Sequence, residues 1–373
     1  YVYWGTDPAG TSTSWQDSTS YDPPAVPDPS VYYLRVQTGD EAGNTSDWLT
    51  LFTFRYDASP PTGPTSVTES SGVVNNTWQG TVDDPAFTWS GASDAGSGVA
   101  GYYVYWGTDP GGTSTAWRTS TTYDPAAVSS PSVYYLRVQT EDNAGNTSSW
   151  LTLFTFRYDA SPPTGPTSVT ETHGVADDTW QGAVGDPAFT WSGASDEGSG
   201  VAGYYVYWGA DPAGTATAWQ SATAYDPPAV PSPSVYYLRV QTGDGAGNTS
   251  AWMTLFTFRY DASPPTGPTS VTETHGVADD PWQATVDDPA FTWSGASDAV
   301  SGVAGYSVYW GADPSGTSSV WVVTAGYDPA AVSDPSVHYL RVQTEDYAGN
   351  RSAWLTLFTF RYDASPPSGP TSV

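Results

Sequence analysis

Apolar residues in this chain alternate with small polar ones in short runs and do not recur at helical spacing. AFTWSG (86–91) sets Phe87 and Trp89 on one side and Thr88 and Ser90 on the other. VYYLRVQT (133–140) sets Tyr134, Leu136 and Val138 against Tyr135, Arg137 and Gln139. PTSVTES (64–70) and the aromatic, β-branched GYYVYWG (101–107) read as further strands, and WLTLFTFRY (150–158) as a strand with a bulge. Period two marks a half-buried strand, because successive side chains leave opposite faces of the backbone. Gly, Pro, Asp and Ser cluster between these runs, as turns require. Short strands at roughly 8–12-residue spacing predict an all-β, two-sheet sandwich.

The pattern then repeats. YVYWGTDP begins at Tyr1 and at Tyr103, YVYWGADP at Tyr205 and SVYWGADP at Ser307, a step of 102 residues. The phrase FRYDASPP stays in phase, so Asp57, Asp159, Asp261 and Asp363 hold one place. All 18 Trp fall on five repeat positions, those of Trp4, Trp15, Trp48, Trp78 and Trp89. A period this long exceeds a solenoid unit and has the length of a whole domain, so the chain reads as beads on a string. Boundaries at the Ala-Ser-Pro-Pro phrases give a partial repeat at 1–58, complete ones at 59–160, 161–262 and 263–364, and the start of another at 365–373. The chain opens without Met inside the pattern, which reads as a window on a longer protein.

Differences between copies orient one strand. Tyr103 and Tyr205 become Ser307, whereas Tyr306, Val308 and Trp310 persist. A Tyr-to-Ser change in a packed core would leave a cavity costing about 3 kcal/mol or more. Tyr102, Val104 and Trp106 are therefore expected inside and Tyr103 outside.

Composition narrows the chemistry. There is no Cys and no Lys, which excludes disulfides, thiol chemistry and Schiff bases. Ten Arg face 39 carboxylates, for a net charge of −29. Such a surface repels nucleic acid and anionic membranes and attracts cations. An aromatic share of 15% argues for packed cores, not disorder. No run of about 18 apolar residues occurs, so no membrane insertion is expected in this segment.

GSGVAG (96–101) fits the G-x-G-x-x-G of dinucleotide-binding turns. That motif needs a helix after it, and here a strand follows, beside Asp94. A tight loop between two strands is the expectation. His173 and His275 share a repeat position that is Ser71 in another copy, and His338 stands where Tyr134 does, so no His is a consistent catalytic base. Asp83-Asp84 and Asp287-Asp288 are neighbours on loops, where solvation is the expected role.

FTWS, GYYVYW and YYLRVQTEDNAGNTS, with the phrases D-x-x-SGV-x-x-Y and D-x-AGN-x-S, resemble the fibronectin type III-like and bacterial immunoglobulin-like repeats of large bacterial surface proteins and adhesins. The likeness covers every repeat. It departs in length, with extra residues before AFTWSG, around Trp78. The resemblance implies that the entering linker and two loops meet at one end of each sandwich. Asp57 would then lie near Asp94 and Asp142, Asp159 near Asp196 and Asp244, and Asp261 near Asp298 and Asp346. Three carboxylates with loop carbonyls suit Ca²⁺, a hard cation, at domain junctions. The alternative is that Asp94 and Asp142 cap turns and the linker Asp is solvated.

Two further candidate sets remain. AGN-x-S places glycosylation sequons at Asn44, Asn146, Asn248 and Asn350, and N-N-T adds one at Asn75. A Gly-Asn turn is the alternative there. Trp15, Trp117, Trp219 and Trp321 sit in Thr/Ser-rich loops and, with Tyr103 and Tyr135, are the expected exposed interaction set. The functional expectation is a non-enzymatic extracellular, cell-surface rod, stalk or filament that self-associates laterally into a filament or sheath. The alternatives are an adhesin or carbohydrate-binding array engaging surface glycans, and an accessory region of an enzyme.

Overall fold

The computed structural model describes residues 1–369 and 371. Of the segment 365–373, residues 370, 372 and 373 lie outside the described residues. Among the described residues every regular element is a strand. No helix among them is long and apolar enough to cross a membrane. The chain divides into two compact units. One holds Tyr1–Pro163 with Asp196–Gly200 and Asp244–Asn248, and the remaining described residues form the other.

In the first unit, β1 (Val2–Gly5), β2 (Ser30–Val36) and β3 (Leu49–Tyr56) form one antiparallel sheet. Leu51 and Phe52 are each 57% exposed there, because no second sheet among the described residues covers them. The next repeat is complete. Its strands are β4 (Ser66–Glu69), β5 (Trp78–Gln79), β6 (Phe87–Ser90), β7 (Val99–Gly107), β8 (Trp117–Arg118), β9 (Thr122–Tyr123), β10 (Ser132–Asp142) and β11 (Leu151–Tyr158). One sheet runs β4-β6-β9, the other β5-β11-β10-β7-β8. Phe87, Trp89, Tyr102, Val104, Leu136, Val138, Phe154 and Phe156 are buried together between them. The alternation read in the sequence sorts these residues inward and Thr88 and Ser90 outward. Between Leu136 and Arg137 the register against β11 shifts, which brings both Leu153 and Phe154 to the core.

The second unit repeats this order twice, around cores that include Phe189, Trp191, Leu238 and Phe258, and Phe291, Trp293, Leu340 and Phe360. These are tandem β-sandwiches, each of about one hundred residues.

The extra residues ahead of β6 line the free edge of β11. Asn75 Oδ1 accepts the Thr155 N–H, the Asn76 N–H donates to the Thr155 carbonyl, and Arg157 Nε donates to Asn76 Oδ1 at 2.8 Å. The backbone turns there at φ 61°, in the left-handed region that Asn and Asp tolerate best among residues with side chains. Asp178 and Asp280 repeat the turn and the pairing to Arg259 and Arg361. Trp78 of the parallel β5 then lies over the Arg157 guanidinium, 5.4 Å away. An edge that would otherwise present unpaired N–H and C=O groups is thereby covered.

Candidate functional site

Three sets of carboxylates converge: Asp57, Asp94 and Asp142; Asp159, Asp196 and Asp244; and Asp261, Asp298 and Asp346. Within each set, one oxygen per residue lies within 4.8 Å of the others. The linkers bring the first member of each set, the loop carrying GSGVAG or its copy the second, and the end of the long strand the third. Each carboxylate is met by N–H donors. Asp94 Oδ2 accepts from Gly96 N at 3.0 Å and Gly98 N at 2.7 Å, so this glycine-rich loop wraps a carboxylate of its own. Gly98 sits at φ 82°, which makes that wrap possible. Asp142, 1% exposed, accepts from Ala144 N and Asn146 N through Oδ1.

The linker carboxylate is held by the same loop. Asp57 Oδ2 accepts from Ser97 N at 2.6 Å, and Asp159 Oδ2 from Ser199 N at 2.7 Å. A Cβ at Gly96 would overlap the Asp57 carboxyl, so glycine permits the approach. In the last copy Val300 holds this place, and the equivalent bond, Ser301 N to Asp261 Oδ2, lengthens to 3.2 Å. The Ser97 hydroxyl and amide hold Asp57 below the ordinary carboxylate pKa. Burial pushes Asp159 upward, but the amides of Ser199 and Ser161 and the hydroxyls of Ser199 and Ser130 outweigh it and leave it lowered. Asp298 is lowered the same way, its burial overcome by the Gly302 and Val300 amides.

The sequon asparagines complete the arrangement. Asn146 Nδ2 donates to the Asp57 carbonyl at 3.1 Å and to Asp142 Oδ2 at 2.9 Å. Asn248 does the same for Asp159 and Asp244, and Asn350 for Asp261 and Asp346. Asn44, exposed, bonds only to Asp40 Oδ2 through its side chain. A glycan is carried on this Nδ2, so one at Asn146, Asn248 or Asn350 would sit where two hydrogen bonds now are. The left-handed turn residue is the preceding glycine, Gly145 at φ 92°, not the Asn.

Chemically, each triad is a dense anionic site whose charge is spread over backbone N–H groups. Asp94 Oδ1, Asp196 Oδ1 and Asp298 Oδ2 keep lone pairs that no donor among the described residues takes. That donor set fits a hard, oxygen-seeking cation.

The aromatic set lies elsewhere. Trp15, Trp117, Trp219 and Trp321 are 57%, 41%, 47% and 43% exposed. Trp117, on edge strand β8, pairs with Tyr103 at 5.0 Å, edge to face, on the outer surface of the five-stranded sheet. A Cβ at Gly101 would overlap its indole, which therefore lies directly on the backbone of β7. Tyr102 and Val104 point inward, 7% and 4% exposed, while Tyr103 and Tyr135 are half-buried. Sequence reasoning missed a buried carboxylate, Glu69, 5% exposed, which accepts from the amides of Ser71, Val73 and Ala86. Its copies Glu171 and Glu273 also meet His173 and His275 Nδ1 at 3.0 Å. The signal was present in SVTE: Glu69 falls two positions after Val67, on the inward side.

No family model matches the chain. It is similar to Exoglucanase B of Cellulomonas fimi, 31% identical over 324 residues, covering 84% of this chain and 27% of that protein. It is also similar to Exoglucanase A of the same organism, 28% identical over 270 residues, covering 70% of this chain and 29% of that protein. The chain thus spans about a quarter of the length of these relatives. Among solved structures, the FN1–FN3 domains of chicken CNTN1 align over 82% of this chain and all of that one, at 15% identity and a TM-score of 0.31. Apart from the two-residue β5, three strands in the order β4-β6-β9 face four in the order β8-β7-β10-β11, and on that order and the repeated phrases the chain is a tandem array of β-sandwich repeats that resemble fibronectin type III domains.

Proposed function

We propose that this segment is a non-enzymatic, extracellular spacer whose tandem sandwiches form a rod or stalk that holds other parts of a longer protein apart. The observation that carries this reading is the linker carboxylate. Asp57, Asp159 and Asp261 are each fixed by an amide of the glycine-rich loop and flanked by an asparagine that grips the linker carbonyl. Linkers bound in this way resist bending, and short Pro-Pro segments add to the stiffness. Calcium is the ion the triads would take, and it would stiffen the same points. The anionic surface would keep such rods apart until cations screen it, after which lateral association into a filament becomes favourable.

The exoglucanase names of the relatives support one particular setting, a spacer within a secreted glucan-degrading enzyme whose catalytic domain lies outside this segment. Small-angle scattering tests the spacer. Beads of roughly 35–40 Å give a radius of gyration above roughly 35 Å. A compact globule of this length would give about 21 Å and would end the proposal.

A further inference from the structure

The 263–364 repeat differs from its copies at two positions, Ser307 and Arg351, that meet on one patch of the outer sheet face. In the two preceding repeats a tyrosine packs against the edge-strand tryptophan, Tyr103 on Trp117 at 5.0 Å and Tyr205 on Trp219 at 4.8 Å. The Glu141 carboxylate lies beside the Tyr103 hydroxyl and raises its pKa. In the last repeat Ser307 takes the tyrosine's place, directly across from Trp321 on one side and Gln343 on the other. Glu345, the copy of Glu141, pairs instead with Arg351, which replaces Thr147 and Thr249, at 2.7 Å.

Where the phenol ring is missing, a recess of about 560 Å³ lies open beside Ser307. Ser307, 8% exposed, forms its floor, and Trp321 stands on Gly305 as one wall. Thr317, Ser318 and Ser319 form the rim, and the Glu345–Arg351 pair closes the far side. The volume is that of a small-molecule site. Its chemistry is mixed in a particular way: one flat π-face, several hydroxyls, and an adjacent acceptor and donor that are both partly exposed.

A pyranose matches that mixture. Its C–H face stacks on an indole, and its vicinal hydroxyls present a donor and an acceptor to a carboxylate–guanidinium pair. An anionic sugar does not match, because the only cation in the recess is already paired and the chain carries a net charge of −29. We infer that the 263–364 repeat binds a neutral saccharide in this recess, with a sugar ring on Trp321 and its hydroxyls on Glu345 and Arg351. This goes beyond the spacer reading and does not depend on it.

The test is calorimetric titration of the whole chain with cellohexaose, whose equatorial hydroxyls leave flat apolar faces, with xylohexaose and mannohexaose alongside. Oligogalacturonate is the anionic control. At least one neutral hexamer should bind at a single site per chain, and oligogalacturonate should not bind. Trp321→Ala should weaken binding roughly tenfold or more, since one aromatic platform is removed. Ser307→Tyr refills the recess with the pair found in the other repeats, so it should fold normally and lose binding to a similar degree. Trp117→Ala should leave binding unchanged. Absence of binding by all three neutral hexamers, or binding that survives Ser307→Tyr, overturns the inference. Neither result bears on the scattering dimensions that test the spacer.

Discussion

Replacing Asn146 by Ala removes one side-chain amide and with it two hydrogen bonds, to Asp142 Oδ2 at 2.9 Å and to the Asp57 carbonyl at 3.1 Å. The first is charge-assisted, about 1.5–3 kcal/mol, and the second neutral, about 0.5–1.5 kcal/mol. Asn146 is half-buried, so water recovers part of this loss, and the net cost is about 2 kcal/mol. The backbone stays in place, because the Asn146 N–H still donates to Asp142 Oδ1 and Gly145 still supplies the turn. The damage should therefore be local. About 2 kcal/mol corresponds to a roughly thirty-fold larger opening constant. Hydrogen-exchange mass spectrometry should show faster exchange by about that factor in the hairpin around 142–148 and in the linker at 57–62, including the Ser59 amide that donates to Asp57 Oδ1. Asn44→Ala removes only the bond to Asp40 and should leave the linker unchanged. If the hairpin of Asn146→Ala accelerates while residues 57–62 exchange as before, the amide does not hold the linker. The spacer reading then loses its main support.

Three other outcomes are expected. Asp57, Asp159, Glu171, Glu273 and Asp298 all have lowered folded-state pKa values, so the stability they contribute is present above their unfolded pKa of about 4 and is lost as pH falls through the folded values. The share of the calorimetric melting temperature that these carboxylates supply should be constant on the alkaline side of that range and fall steeply below about pH 4. His338 is lowered by burial and stacks on Trp310 at 5.1 Å, so the fold favours its neutral form and loses stability as pH drops below the unfolded value of about 6.5. His338→Tyr restores the residue of the other copies and should abolish the part of the melting profile that changes between about pH 5 and 7. Millimolar calcium should raise the melting temperature and a chelator should reverse it, with Asp94→Asn blunting the response; identical scans in calcium and chelator would remove the ion from the triads.

Much of the candidate site could be read before the structure, for a physical reason. Asp57, Asp94 and Asp142 are far apart in sequence, but linker and loops are gathered by the sandwich topology; alternation in FTWS and YYLRV marked the strands, and the resemblance to fibronectin type III-like repeats implied which loops meet. The exposure of Trp117, Trp219 and Trp321 was legible because they follow Thr/Ser-rich stretches, but the expected loop there is a short edge strand, since the residues around each tryptophan pair with the neighbouring long strand. What the asparagines do was not legible: an AGN-x-S phrase reads equally as a sequon or a turn until the distance from Asn146 Nδ2 to the Asp57 carbonyl is known. The strand at Trp78 escaped notice because two residues carry no periodicity.

By itself, then, the sequence determined what depends on neighbours along the chain: strand faces, turns, the 102-residue period and which Tyr of GYYVYWG points outward. Only the tertiary structure decided what depends on groups about eighty or ninety residues apart, since no local pattern encodes such a meeting. The cover on β11 joins Asn75 to Thr155, and the linker clamp joins Asn146 to Asp57. The recess beside Trp321 is tertiary too: Ser307 and Arg351 are two scattered substitutions until the sheet sets them beside Glu345.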